Sequence, residues 1–367
     1  MKRTEKIIFY CGIFAPTGGI EEFTAEFAEL LLETGYRVEL ICAARSSPLL
    51  ERIRKRGGII HRIPWIWGCR WRIPATLLLL PGVWFARNAD LLVLQKAFPR
   101  YHLRWVGPRA AKLFISSYNP ADEFTDTAKY QPFFTYIDVF FVQCSAFLKM
   151  LPALGFRGRS NVIPLLPPKI TGMLDTGNST PLTDRVCRIG MMGRLEEQKN
   201  PLYAVHIVAE LQKLRPQLRI EFHVYGDGRC RKAMEQAAQK YGVNCVFHGA
   251  YLRNQAAEIV SANHFFLICS RTEGQCIAAL EILAGGRPLF STAVGALPEI
   301  LSDPVRGSLI AMANPEQAAV RIAEFMKRPE FGDARRIIKS YESVFSREKV
   351  RKQYLNEINE ILKRRKG

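Results

Sequence analysis

From Cys187 to Ile300 the chain repeats one pattern: a short apolar run, a loop carrying glycine or charge, then an amphipathic segment of about ten residues. The runs read CRIGMMG, RIEFHVYG, NCVFHG, HFFLICS and RPLFST. The periodicity between them predicts helices over 202–214, 231–241, 255–261 and about 276–283, with a short one at Leu297. Strands alternating with helices must return in the same direction, so this order predicts a parallel sheet covered on both faces.

The N-terminal part repeats the theme less regularly. KIIFYCGIF reads as a strand, APTGG as a turn, IEEFTAEFAELLLETG as a helix and YRVELICA as a second strand. Phe23, Phe27, Leu30 and Leu31 share one helical stripe, and Gly35 supplies its stop. Further strands are expected at AAKLFISSYN and IDVFFVQCS, while between Arg52 and Arg104 the period blurs. PLLPPKITGMLDTGNSTPLTD, rich in Pro, Gly, Ser and Thr, separates the two halves and reads as a linker. A chain of 367 residues is long enough for two domains. The expected fold class is α/β with two Rossmann-like domains, at 1–165 and 185–345, a linker at 166–184 and a basic C-terminal helix at 346–367 able to cross back to the first domain.

The balance of 52 Lys and Arg against 34 Asp and Glu, net +18, favours anionic partners: a phosphorylated substrate, anionic lipid or nucleic acid. No RRM, KH, zinc or helix-turn-helix signature supports the last. Nine cysteines are scattered without a C-x-x-C, several of them, such as Cys42, Cys245 and Cys269, inside strand-like runs. They read as reduced core residues of a cytoplasmic protein. IPATLLLLPGVWFA is too short to span a bilayer and is interrupted by Pro74 and Pro81, so no transmembrane helix is expected. The N-terminus reads as a first strand rather than a signal peptide.

Ligands of open parallel sheets bind beyond the carboxyl ends of the strands, which directs attention to the loops that follow them. In TGGIE, Gly18 and Gly19 precede a helix and suit close approach to a phosphate, or simply a tight turn. In GRLEEQKN, Gly193 ends a strand and Arg194 and Lys199 can converge on one anion, or form a solvated basic loop. SRTEGQC places Glu273 in a loop, and Glu281 follows eight positions later on a helix body. Two such carboxylates can bind separate hydroxyl-bearing parts of one ligand, with the N–H groups of Gly274, Gln275 and Cys276 between them. The plain alternative is a dipole-favoured acid and an ordinary surface glutamate.

The order G-R-x-x-x-x-K, YGDG, FHG, SRTEGQCIAALE and VGALPEI, spread from Ile189 to Ile300, resembles the donor half of retaining glycosyltransferase family 4, the glycosyl transferases group 1. Its E-x(7)-E signature is Glu273 to Glu281 here. The stretches APTGGIEEFTAEFAELLLETGYRV and IDVFFVQCSAFLKMLPALGFRGRSNVIP resemble the family's N-terminal domain. The resemblance implies a GT-B fold, two Rossmann-like domains facing each other across a cleft. It implies Arg194 and Lys199 on the diphosphate of a UDP-, GDP- or ADP-sugar, Glu273 on the sugar hydroxyls, and Glu281 on the ribose. Gly18 and Gly19 would close over the phosphates, and Gly193, Gly274, Gln275, Cys276 and Gly295 would line the donor site. The implied reaction retains configuration and needs neither metal nor other cofactor, because two fixed cations stabilise the departing diphosphate; no D-x-D occurs in the chain.

Two departures stand out. The family's N-domain histidine gives way to Tyr118 and Asn119 in FISSYNPADEF, which with Glu21 form the acceptor-side candidates, and E-G-F-G becomes EGQC, with Cys276 in place of the second glycine. The acceptor is expected to be a glycan or glycolipid of lipid-linked or lipopolysaccharide type. Trp65, Trp67, Trp71, Trp84 and Trp105, interleaved with Arg54, Lys55, Arg56, Arg62, Arg70, Arg72 and Arg87, suit an anionic membrane surface on the cytoplasmic face; a clustered core or a base-stacking surface are the other readings. A nucleotide-sugar epimerase, an inverting GT-B transferase and a basic nucleic-acid-binding protein remain open at this point.

Overall fold

The computed structural model describes residues 3–14, 18–43, 47–63, 80–95, 103, 106, 109–116, 119–124, 127–167, 186–329 and 331–366. Two compact units divide the chain: Met1–Leu166 with Glu348–Gly367, and Pro167–Arg347.

The first unit is built on seven parallel strands, β1 (Lys6–Ile13), β2 (Arg37–Ala43), β3 (Ile59–Arg62), β4 (Leu91–Leu94), β5 (Ala111–Ile115), β6 (Val139–Val142) and β7 (Arg159–Val162), in the order β3-β2-β1-β4-β5-β6-β7. The central residues of β1, β2, β4, β5 and β6 are buried on both faces, as the unbroken apolar run of β4, LLVL, requires, whereas the edge strands β3 and β7 are only partly covered. Helix Gly19–Glu33 buries the expected stripe of Phe23, Phe27, Leu30 and Leu31. Gly35, at φ +91, follows its end, and Tyr36 N donates to Leu31 O at 3.1 Å. Helix Arg347–Lys366 packs on the same unit through Tyr354, which is fully buried with its ring centroid 4.7 Å from that of Phe27 and 6.0 Å from that of Phe141. Arg351 with Glu33 and Arg365 with Asp90 tie its two ends to the unit.

The second unit has six parallel strands, β8 (Val186–Met192), β9 (Arg219–Tyr225), β10 (Cys245–Gly249), β11 (Phe265–Ile268), β12 (Leu289–Thr292) and β13 (Gly307–Ile310), ordered β10-β9-β8-β11-β12-β13. Helices Pro201–Leu214, Arg231–Tyr241 and Pro315–Phe325 pack together over one hydrophobic core. Helix Ile277–Ala284 packs between Ala256–Ala262 and Ala334–Phe345. Both sheets are therefore α/β doubly wound, each reversing its strand order once, between β1 and β4 and between β8 and β11.

Of the eight described cysteines, seven are buried and Cys245 is half-buried. No helix among the described residues is long and apolar enough to cross a membrane. Most of the linker, together with Trp65, Trp67, Trp71 and Trp105, lies outside the described residues; Trp84 is 68% exposed.

Candidate functional site

Three loops meet at the carboxyl edge of the second sheet, following β8, β11 and β12, at and beside the reversal of strand order. Gly193 leaves β8 at φ +136 and runs against the loop after β9: a Cβ at Gly226 would sit 1.8 Å from Gly193 O, and one at Gly228 would sit 2.5 Å from Leu195 O. The glycines of YGDG thus let two backbones touch, and Leu195 N donates to Asp227 O at 2.9 Å. Arg194 is left exposed on this ledge. Lys199 ends a 3-10 turn, Glu197–Lys199, just before helix Pro201–Leu214.

Lys199 Nζ lies 2.5 Å from Glu273 Oε1, and Ser270 Oγ donates to the same oxygen at 2.6 Å. The Lys199 side chain is 23% exposed and that of Glu273 6%. Burial alone would push the Lys199 ammonium down, but the adjacent Glu273 carboxylate outweighs it and holds the group above the ordinary lysine value, against the opposing charge of Arg194. The Cys276 thiol, buried and beside Glu273, is pushed up to about 12, first by desolvation and then by that carboxylate. Lys199, Ser270, Glu273 and Cys276 share a cavity of about 10 Å³, the room of a single water.

Cys276 is the N-cap of helix Ile277–Ala284 at φ +61, a left-handed conformation that favours glycine. That geometry explains why the resembling pattern has glycine at this position. Gly295, at φ +58, packs backbone to backbone on the Glu273 loop: a Cβ there would lie 2.3 Å from Gly274 O, while Ala296 N donates to that carbonyl at 3.0 Å. Gln275 is buried.

Glu281 is not a surface residue; it is 4% exposed, and its Oε1 accepts from Arg253 Nε at 3.1 Å. The phenols of Tyr251 and Tyr341 are both raised by burial and then by the Glu281 charge, which places them around the same carboxylate. Glu273 and Glu281 therefore occupy separate surroundings, one anchored on Lys199 and the other on Arg253.

In the first unit, Gly18 is exposed and extended and caps helix Gly19–Glu33. A Cβ on it would lie 2.2 Å from Glu21 Oε2, so the Glu21 carboxylate folds back over this helix start. Asn119 is half-buried beyond β5, next to helix Pro120–Glu123; Tyr118 is outside the described residues. Sequence reasoning alone passes over Gln198, Ser270, Thr292 and Arg253. Ser270 stands three positions before Glu273, a spacing that could have flagged it; Arg253 carries no local signal, being 28 positions from its partner.

Residues 180–343 match the glycosyl transferases group 1 family. The match falls within the second unit and makes that unit similar to the glycosyl transferases group 1. The chain is 24% identical over 326 residues to the Arabidopsis thaliana protein named as one of the subunits of phosphatidylinositol N-acetylglucosaminyltransferase, covering 85% of this chain and 71% of that protein. It is 27% identical over 146 residues to D-inositol 3-phosphate glycosyltransferase of Segniliparus rotundus, covering 39% of this chain and 32% of that one. Its fold is shared with HepE of Anabaena, solved in complex with UDP and glucose, at a TM-score of 0.75 and 14% identity over 97% of this chain and 100% of that one.

Proposed function

We propose that this chain moves a sugar from a nucleotide-sugar donor to a hydroxyl of a glycan or glycolipid acceptor, with retention of configuration. The observation that carries this reading is the Lys199–Glu273 pair beside an exposed Arg194, at the strand-order reversal of the second sheet. As the bond from the anomeric carbon to the donor phosphate breaks, negative charge collects on the diphosphate. Lys199, kept charged by Glu273, and Arg194, with its planar fork of donors, are in place to meet that charge without rearranging. Glu273 Oε1 already holds Lys199 and Ser270, so its remaining oxygen serves the sugar hydroxyls rather than attacking carbon. Glu281 takes the ribose hydroxyls, with Gly193, Gly274, Gln275, Cys276 and Gly295 shaping the backbone around the donor.

In a retaining transfer the acceptor hydroxyl attacks the face that the diphosphate leaves, and its proton passes to the departing phosphate oxygen. In this reading Gly18 and Gly19 serve the donor phosphates, and Glu21 and Asn119 belong to the acceptor side. The UDP and glucose held by HepE support a UDP-sugar donor, and the phosphatidylinositol in the Arabidopsis relative's name supports a lipid acceptor at a membrane surface. The test offers UDP-glucose, UDP-N-acetylglucosamine, GDP-mannose and ADP-glucose with phosphatidylinositol, inositol 3-phosphate and a lipid-linked glycan. The product's anomeric configuration is then read by proton NMR. A product with the donor's configuration supports the proposal; an inverted product, or a changed sugar nucleotide formed without acceptor, overturns it.

A further inference from the structure

We infer that Gln198 is a positioning residue that holds the Lys199–Glu273 pair in register; the inference rests on the donor chemistry proposed above. Neither member of the pair lies in a strand or an α-helix, so the sheet does not fix their separation. What fixes it is the residue next to Lys199. Gln198 O accepts from Arg271 N at 2.8 Å, and Gln198 Nε2 donates to Thr272 O at 3.1 Å. One residue thus grips two consecutive residues of the opposite loop, immediately before Glu273. On the far side of that grip Thr292 Oγ1 donates to Ser270 O at 2.6 Å, and Ser270 Oγ holds the Glu273 carboxylate itself. Ser270 and Thr292 are buried, whereas Gln198 lies partly open to solvent at the rim.

The backbone half of the grip survives any substitution, and the side-chain half depends on one neutral amide donor. Losing that donor changes global stability little, because a single hydrogen bond at a half-open position is also satisfied by water. Its effect on geometry is larger: a displacement of about 1 Å in a group that meets developing charge can cost up to about a hundredfold in rate. A residue with a structural role alone would lower the melting temperature and leave turnover per folded molecule untouched. Gln198 should do the reverse.

Gln198→Met keeps the side chain's length and removes only the amide. The expected result is a turnover lowered about tenfold, an unchanged donor KM, and a melting temperature within about 4 °C of the parent. Amide hydrogen exchange over 271–276 should rise at least about tenfold, with β8 and β11 unchanged. Combined with Glu273→Gln, the substitution should cost nothing further, because the contact it positions is already lost. Full turnover in Gln198→Met, unchanged exchange over 271–276, or a tenfold loss that persists in the Glu273→Gln background would each overturn the inference. If Glu273→Gln itself keeps full turnover, the donor-site reading falls and takes this inference with it. If Glu273→Gln is crippled while Gln198→Met is normal, only the positioning role is refuted.

Discussion

Lys199 and Arg194 have the same proposed partner and opposite structural situations, so replacing each by alanine separates catalysis from stability. Removing Lys199 leaves the Glu273 carboxylate, whose side chain is 6% exposed, with the Ser270 hydroxyl as its remaining neighbour described at hydrogen-bond distance from Oε1. Breaking a buried pair costs ~3–5 kcal/mol, and two features reduce that here. Ser270 still donates to the carboxylate, and the lysine side chain was 23% exposed, so water can enter where it stood. A net cost of ~2 kcal/mol follows, or a melting temperature lower by ~4–8 °C for a unit of this size. Arg194 is exposed, and no carboxylate among the described residues pairs with it; Arg194→Ala should shift the midpoint by less than ~1 °C. Both variants should lose about a hundredfold or more in turnover, as for loss of a preorganised charge donor. Differential scanning calorimetry alongside donor-saturated kinetics reads both quantities. Equal melting shifts in the two variants would refute the burial argument, and full turnover in either would refute the diphosphate assignment.

Because Lys199 is raised in the folded protein, its contribution to stability is complete below the unfolded lysine value near ~10.4 and is lost as pH rises through the higher folded value; the stability difference between parent and Lys199→Ala should therefore be flat to about pH 10 and shrink above it in alkaline melts. Glu281→Ala should weaken donor binding more than turnover, since a ribose contact is made equally in ground and transition states; equal KM in parent and variant would count against the ribose role. Gly295→Ala forces a Cβ to within 2.3 Å of Gly274 O at a left-handed φ, so soluble yield or melting temperature should fall sharply, and a variant as stable as the parent would contradict the backbone contact. The Cys276 thiol, pushed up to about 12, should resist iodoacetamide in the native protein at about pH 8 and react only on unfolding, as mass spectrometry of the alkylated peptide would show. Salt-sensitive cosedimentation with anionic vesicles, weakened in Trp84→Ala, is expected if the exposed Trp84 marks a membrane-facing surface; no sedimentation at low salt would contradict it.

The fold class was legible where periodicity is strong and elements are long. The helix read over 231–241 is Arg231–Tyr241 in the structure, and the one read from 202 starts at Pro201, where proline suits the first helical turn. Helix Ile277–Ala284 begins one residue later than its pattern suggested, because Cys276 has left-handed rather than helical backbone angles. Between Arg52 and Arg104 the four-residue strands β3 and β4 escaped notice. LLVL has no alternation to read, since both of its faces are covered. Chain order also located the loops after β8, β11 and β12, but not what each side chain would touch. Spacing could not show that Lys199 lies against Glu273 rather than standing free beside Arg194, nor that Glu281 is buried on Arg253. Those contacts depend on how loops far apart in sequence cross at one sheet edge, and no local pattern encodes that crossing.

The central claim is that a nucleoside diphosphate sits on Arg194 and Lys199. Isothermal titration of UDP, GDP and ADP into the parent, Arg194→Ala and Lys199→Ala tests it without an acceptor or a sugar. The account expects at least one of the three to bind the parent and to lose about tenfold or more in affinity in each variant that remains folded. If none binds the parent, or if both folded variants bind as tightly as the parent, the claim is wrong.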